Sequence, residues 1–143
     1  MNEFIIHLFN VVKIFLYNRI RIMSQLIHFF FELQTNVKLY HWMTLSYARH
    51  KAFGETYAAL GDLIDRFAEV CMGKHGRVEL QQGTCIELMN LDEVKPTEFC
   101  AATTEMLIAG CSCLDAKMDS DLLNIRDEML AEINKLKYLL TLQ

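Results

Sequence analysis

His41, His50, Asp65 and Glu69 are the residues whose types and spacing could hold a metal ion. Imidazole nitrogen combined with carboxylate oxygen suits iron, manganese or zinc. Asp62, Asp65 and Glu69 follow one another at steps of three and four, so on a helix they share a face. Three carboxylates there repel one another unless they are solvated, protonated or bridged by a cation. Taken alone they read as a solvated acidic face. His41 and His50 flank a short break between two helical patterns. Two such histidines read as metal ligands, as a phosphate contact or as surface residues. Geometry constrains the set further. His50 and Asp65 lie fifteen residues apart on one helix, roughly 22 Å at the usual rise. A ligand atom sits only about 2–2.5 Å from its metal. Either the histidines and the acids serve different sites, or one site spans two subunits.

Helices must position these residues. One proline, Pro96, and six glycines in 143 residues leave room for long helices, and β-branched runs bounded by turns are scarce. The first helix is predicted over Ser24–Met43, with Ser24 as N-cap and Leu26, Phe29, Phe30, Leu33, Val37 and Tyr40 as its stripe. The second is predicted over Ala48–Met72, with Phe53, Tyr57, Leu60, Ile64, Phe67 and Cys71 at alternating steps of four and three and with Gly73 and Gly76 as the stop. Residues 74–96 form a long connection, with a short helix expected around Cys85–Leu91. A connection of that length joins parallel helices or crosses a bundle. The third helix is predicted from an N-cap at Thr97 to Leu114. The fourth starts near Ser120, with Leu122, Ile125, Met129, Ile133, Leu136 and Leu140 as its stripe. Two short turns and one long middle connection give an all-α fold, a ferritin-like four-helix bundle over residues 23–143. Asp127 and Glu128 on the fourth helix could add acids, with a surface pair of Asn124 and Asp127 the plainer reading, and Glu32 on the first helix could join them, its direction not fixed by the sequence.

Composition bounds the function. A formal net charge of −4 does not support coating DNA, which needs a basic stripe to displace counterions. Arg19 with Arg21, and Lys74, His75 and Arg77, are local basic clusters that read as solvated helix ends. The five cysteines, at 71, 85, 100, 111 and 113, have neither zinc-knuckle nor redox spacing and read as small packing residues in a reducing compartment. That places the protein in the cytoplasm. Residues 1–22 are an apolar segment interrupted by His7, Asn10 and Lys13, too short and polar for a membrane span and with the wrong order of charge for a signal peptide. They read as an extra N-terminal helix packing on a neighbouring subunit, as a membrane-surface helix, or as an extension upstream of a start at Met23.

The stretch Tyr40-His41-Trp42, then His50 with Phe53, then Asp65 and Glu69, resembles the Dps-type mini-ferritins. The resemblance implies an inter-subunit di-iron site, or a site for another divalent metal, with His41 and His50 from one chain and Asp65 and Glu69 from its partner. It departs from the family at Gly54, where the family has a further Asp. Glu55 is adjacent and could substitute as a metal ligand, with one residue turning it about 100° around the helix. The loop between the histidines is three residues shorter than in the family, and the basic tail is absent. Several separated words, among them His41–Ala52, Asp65–Glu69, Gly73–Gly76, Leu122–Glu128 and Tyr138–Leu142, more closely resemble an uncharacterised ferritin-like family of large DNA viruses and tailed phages.

Two functions follow as expectations. One is a Dps-like homo-oligomer that binds or oxidises Fe(II) between subunits. The other is a non-enzymatic structural or interaction protein on the same scaffold, in the host cytoplasm or the virion if the chain is viral. The sequence leaves open whether the protein is an enzyme.

Overall fold

Apolar residues at helical spacing need a common face to bury, and the helices form around that requirement. The computed structural model describes the backbone of residues 3–142 and the side chains of residues 18–142. Its four helices are α1 (Glu3–Met43), α2 (Tyr47–His75), α3 (Pro96–Gly110) and α4 (Ser120–Leu139), and no strand occurs among the described residues. All six stripe positions of α4, from Leu122 to Leu140, are buried. So are Leu26, Phe30, Leu33, Val37 and Tyr40 of α1 and Phe53, Leu60, Phe67 and Cys71 of α2. Each large apolar side chain buried this way stabilises the fold by about 1.5–3 kcal/mol relative to exposure.

Pairwise contacts fix the topology. His41 meets His50 and Phe30 meets Phe67, so α1 and α2 run antiparallel. Lys74 reaches Asp121 and Arg66 reaches Glu128, so α4 runs antiparallel to α2. Tyr40 packs on Phe99 at one end of α3, and Leu26 meets Gly110 at the other. The helices form a square in which α1 touches α2 and α3, and α4 touches the same two. α2 and α3 therefore run parallel on opposite corners, joined by the long connection 76–95.

The segment at residues 1–22 differs from expectation. It is not a separate extra helix, because α1 runs unbroken from Glu3 through Met43. No proline or glycine lies between those residues, and Met23 is buried in the core rather than opening an element. Ser24 is accordingly not an N-cap. Its Oγ lies 3.0 Å from the Ile20 carbonyl and 3.2 Å from the Glu79 carbonyl, to either of which it donates. Contact of residues 1–17 with a membrane or a neighbour lies outside the described side chains.

Smaller boundary shifts have local causes. Ser46 caps α2 by accepting from the Arg49 amide at 3.3 Å, and Gly76, at φ +88°, ends it. α3 starts at Pro96 rather than after Thr97, because proline's fixed φ and missing N–H suit the first helical position. It stops at Gly110, short of Leu114. There the Asp115 carboxylate takes the amides of Lys117 and Met118 into a turn that competes with helix.

The connection contains no helix at Cys85–Leu91; α1 claims its main-chain groups instead. Asn36, buried, donates to the Glu87 carbonyl at 2.9 Å and accepts from the Met89 amide at 2.9 Å. Glu32 accepts from the Glu87 amide at 3.1 Å, and His28 Nε2 donates to the Cys85 carbonyl at 2.7 Å. Glu32 thus holds the crossover and is not a core ligand. Replacing Asn36 by alanine should lower stability by about 2 kcal/mol and speed amide exchange at Met89. Unchanged exchange at Met89 would contradict this account of the crossover.

Candidate functional site

The α1–α2 turn brings His41 and His50 together. Their rings stack with centroids 3.8 Å apart and planes 22° apart. Each ring bonds to the other residue's main chain: His41 Nδ1 lies 2.7 Å from the His50 carbonyl, and His50 Nδ1 lies 2.8 Å from the His41 carbonyl. A carbonyl only accepts, so Nδ1 carries the proton in both rings. In the neutral ring that leaves the Nε2 lone pair free. Neither Nε2 has a hydrogen-bond partner among the described residues. This is how a protein orients an imidazole for a metal, with the far nitrogen pinned and the near one bare.

Gly54 makes the stack possible. A Cβ built on it would lie 2.9 Å from His41 Cε1 and 3.0 Å from His41 Nδ1, so the ring occupies the space a side chain would need. The glycine that stands where a ligand was expected is the floor of the histidine niche. Glu55, its neighbour, is exposed.

The surround is apolar and open. Trp42 is 67% exposed, Tyr47 78%, and Leu45 fully so. Lys38 Nζ lies 5.5 Å from the Trp42 ring and 4.5 Å from the Tyr57 ring, a cation held on aromatic faces.

Asp62, Asp65 and Glu69 are all exposed, on a stretch of α2 well away from the turn. Asp62 and Asp65 border a surface hollow of about 440 Å³ between α1 and α2, beside the exposed Phe31. Among the described residues no three His, Cys, Asp or Glu side chains of one chain converge to hold a metal. The histidines come together; the acids do not join them. Asp127 and Glu128 lie on the surface, paired with Arg126 and Arg66 respectively.

At the opposite end of the bundle is a charge cluster that sequence reasoning missed. Asp119 is buried, and its carboxylate pairs with Arg19, lies 3.5 Å from Lys74 Nζ and accepts from the Asp115 amide at 3.0 Å. His75 Nε2 lies 3.4 Å away without the alignment of a hydrogen bond. Burial alone would raise the Asp119 carboxyl, but the Asp115 amide, Arg19, Lys74 and His75 outweigh it and hold the carboxyl below its ordinary range. Burial, with Arg19 beside it, holds His75 below the ordinary histidine value. Lys74, though exposed at the helix end, and His75 thus also face a buried anion. The basic clusters at Arg19 and at Lys74 with His75 were the signals, and each reads equally as a helix-end effect.

All five cysteines are free, and Cys71, Cys100 and Cys111 are buried packing residues. Burial pushes each of those three thiols up to about 11. Among the described residues no helix is long and apolar enough to cross a membrane.

Comparison with known proteins finds a family match over residues 41–140, to the "Family of unknown function (DUF5856)". Over 37 residues the chain is 51% identical to the "Uncharacterized 14.6 kDa protein in mobD-ri intergenic region" of Enterobacteria phage T4. That match spans 26% of this chain and 29% of the phage protein. No solved structure matches the chain.

Proposed function

The chain belongs to a family of unknown function (DUF5856), and from that premise we propose that it is a ferritin-like protein binding a divalent metal, iron(II) foremost, between two copies. One observation carries the reading: both Nδ1 atoms at the α1–α2 turn are committed to main-chain carbonyls, so each of two stacked rings is left with its Nε2 as the free nitrogen. His41 and His50 would supply the imidazoles, and Asp65 and Glu69 on the exposed face of the second copy's α2 would supply charge-neutralising oxygens. The uncovered Trp42, Leu45 and Tyr47 around the histidines support a partner at this end. Bound there by His41, His50, Asp65 and Glu69, iron(II) would supply a one-electron reductant for peroxide or dioxygen. With Gly54 in the place of a further acid the proposal is binding, and Glu55 lies about 100° around the helix from that place. The square of helices with one long crossover between parallel members also supports the ferritin-like reading. The phage relative supports a setting in a virion or its host's cytoplasm.

Anaerobic Fe(II) titration tests this. A His50→Ala, Asp65→Ala double variant should lose the binding that the unaltered chain shows. A site shared between copies adds a sharper expectation. An equal mixture of the two single variants, unfolded and refolded together, should recover about a quarter of the sites, because half of the mixed pairs' sites are intact. Equal, negligible binding by wild type and double variant would sink the metal reading. The reciprocal carbonyl bonds favour a second reading in that event, in which the histidine pair is a clasp on the turn of a structural or interaction protein.

A further inference from the structure

We propose that the groove between α1 and α3 is the docking surface for the N-terminal arm, residues 4–17, of a second copy of this chain. α3 meets α1 through Phe99 on Tyr40 near its start and through Gly110 on Leu26 at its end. Between those contacts lie two hollows of about 220 Å³ each, which share Phe29 and Met106 as walls. The crossover residues Glu87 and Met89 wall one hollow from the side, and α3 leaves its own flank apolar. Its exposed positions include Ala101, Ala102, Met106, Ile108 and Ala109 beside Thr97, Glu98 and Glu105, so a strip of its outer side is apolar. An exposed apolar strip of that kind marks a surface that a partner covers. Ala102 and Ala109 line the hollows with small side chains, and small side chains let another backbone approach closely.

Length, charge and symmetry name the occupant. α1 begins at Glu3, about 24 Å by helix rise upstream of Arg19, where Asp119 closes that end of the bundle. Residues 4–17 are mostly apolar, with Lys13 as the one Lys, Arg, Asp or Glu among them. As helix they measure about 20 Å, against about 21 Å of α1 from Ile22 to Asn36 along the groove. Glu98 and Glu105 stand at steps of four and three from Ala102 on the same side of α3, giving the groove an acidic rim. The arm brings Lys13 and no acid to it. Two copies of α1 laid antiparallel about a two-fold axis near residues 19–20 set each arm along the other's groove. Each copy both inserts and receives, so the contact closes as a dimer.

The test uses the full chain with a photo-crosslinking benzoylphenylalanine at Val12, in a mixture of isotope-labelled and unlabelled copies. Crosslinks should join labelled to unlabelled chains and map to the α3 peptide containing Met106. Met106 is 49% exposed, so Met106→Glu should leave the helical circular dichroism unchanged while raising the dimer dissociation constant at least about tenfold in sedimentation. Adding a metal chelator should leave that association unchanged, which separates this contact from the proposed metal interface. Crosslinks confined within one chain, or dimerisation indifferent to Met106→Glu, would overturn the proposal. So would a protein that is monomeric in solution and floats with phosphatidylglycerol vesicles only while residues 4–17 are present.

Discussion

Replacing Asp119 by alanine should cost the fold about 3 kcal/mol and lower its thermal midpoint by roughly 10 °C. The loss arises less from one missing ion pair than from what remains. Arg19 and Lys74 are cations beside the Asp119 carboxylate, and His75 is mostly buried among them. Without the anion, two cations and a desolvated imidazole share one pocket, and the Asp115 amide loses its acceptor.

The pH profile identifies the cause. The Asp119 carboxyl is held below its ordinary value in the folded chain. Its contribution is therefore present above the unfolded value of about 3.9 and is lost as pH falls through the lower folded value. His75 is also held low, and for a base that means the unfolded chain binds the proton first. Stability falls as pH drops below the free histidine value of about 6.5 toward the folded one. In the Asp119→Ala variant the acid limb below about pH 4 should flatten. The histidine limb should steepen, because an anion that favoured the imidazolium is gone. Urea midpoints measured from pH 8 to pH 3 on both chains check the two changes. A variant whose profile merely shifts downward in parallel would show that Asp119 acts by packing and not by charge.

Arg19 and Asp119 are one hundred residues apart, and nothing in the local pattern of either marks the other. That separates what was legible from what was not. Steps of three and four place a residue on one face of its own helix, so the stripe of α4 was readable from Leu122 to Leu140 and is buried throughout. Helix rise is equally local, which is why the distance between His50 and Asp65 could be judged from numbering alone. The crossover was readable in its length but not its conformation. The expected helix at Cys85–Leu91 loses to Asn36 and Glu32, whose hold on Glu87 and Met89 spans more than fifty residues. Ser24 has good capping chemistry, yet a continuous helix with Met23 in the core leaves it no end to cap. Gly54 was the subtlest case. A glycine inside a helical pattern reads as a weakness or a lost ligand, and only the folded turn shows that the His41 ring fills its place.

Gly54→Ala should change the sign of its effect according to the residue at position 41. In an unoccupied helical site, glycine to alanine stabilises by about 1 kcal/mol through backbone entropy. Here the new Cβ would arrive 2.9 Å from His41 Cε1. That ring is not a free tail, since it is stacked on His50 at 3.8 Å and bonded to the His50 carbonyl at 2.7 Å. Moving it forfeits the hydrogen bond and the stack, together about 2–3 kcal/mol. The net expectation in the wild-type background is a loss of about 1–2 kcal/mol. In a His41→Ala background the space is empty, and the same substitution should gain about 1 kcal/mol. Urea denaturation of the four chains closes a double-mutant cycle, with an expected coupling of about 2–3 kcal/mol. Equal gains in both backgrounds would mean that the ring does not rest on Gly54. Fe(II) titration adds the functional half of the cycle. If His41 must sit in this niche to present its Nε2, then Gly54→Ala should weaken binding as much as His41→Ala does, although alanine at 54 removes no donor atom. Intact binding in Gly54→Ala would separate the niche from the metal and assign it to the turn alone.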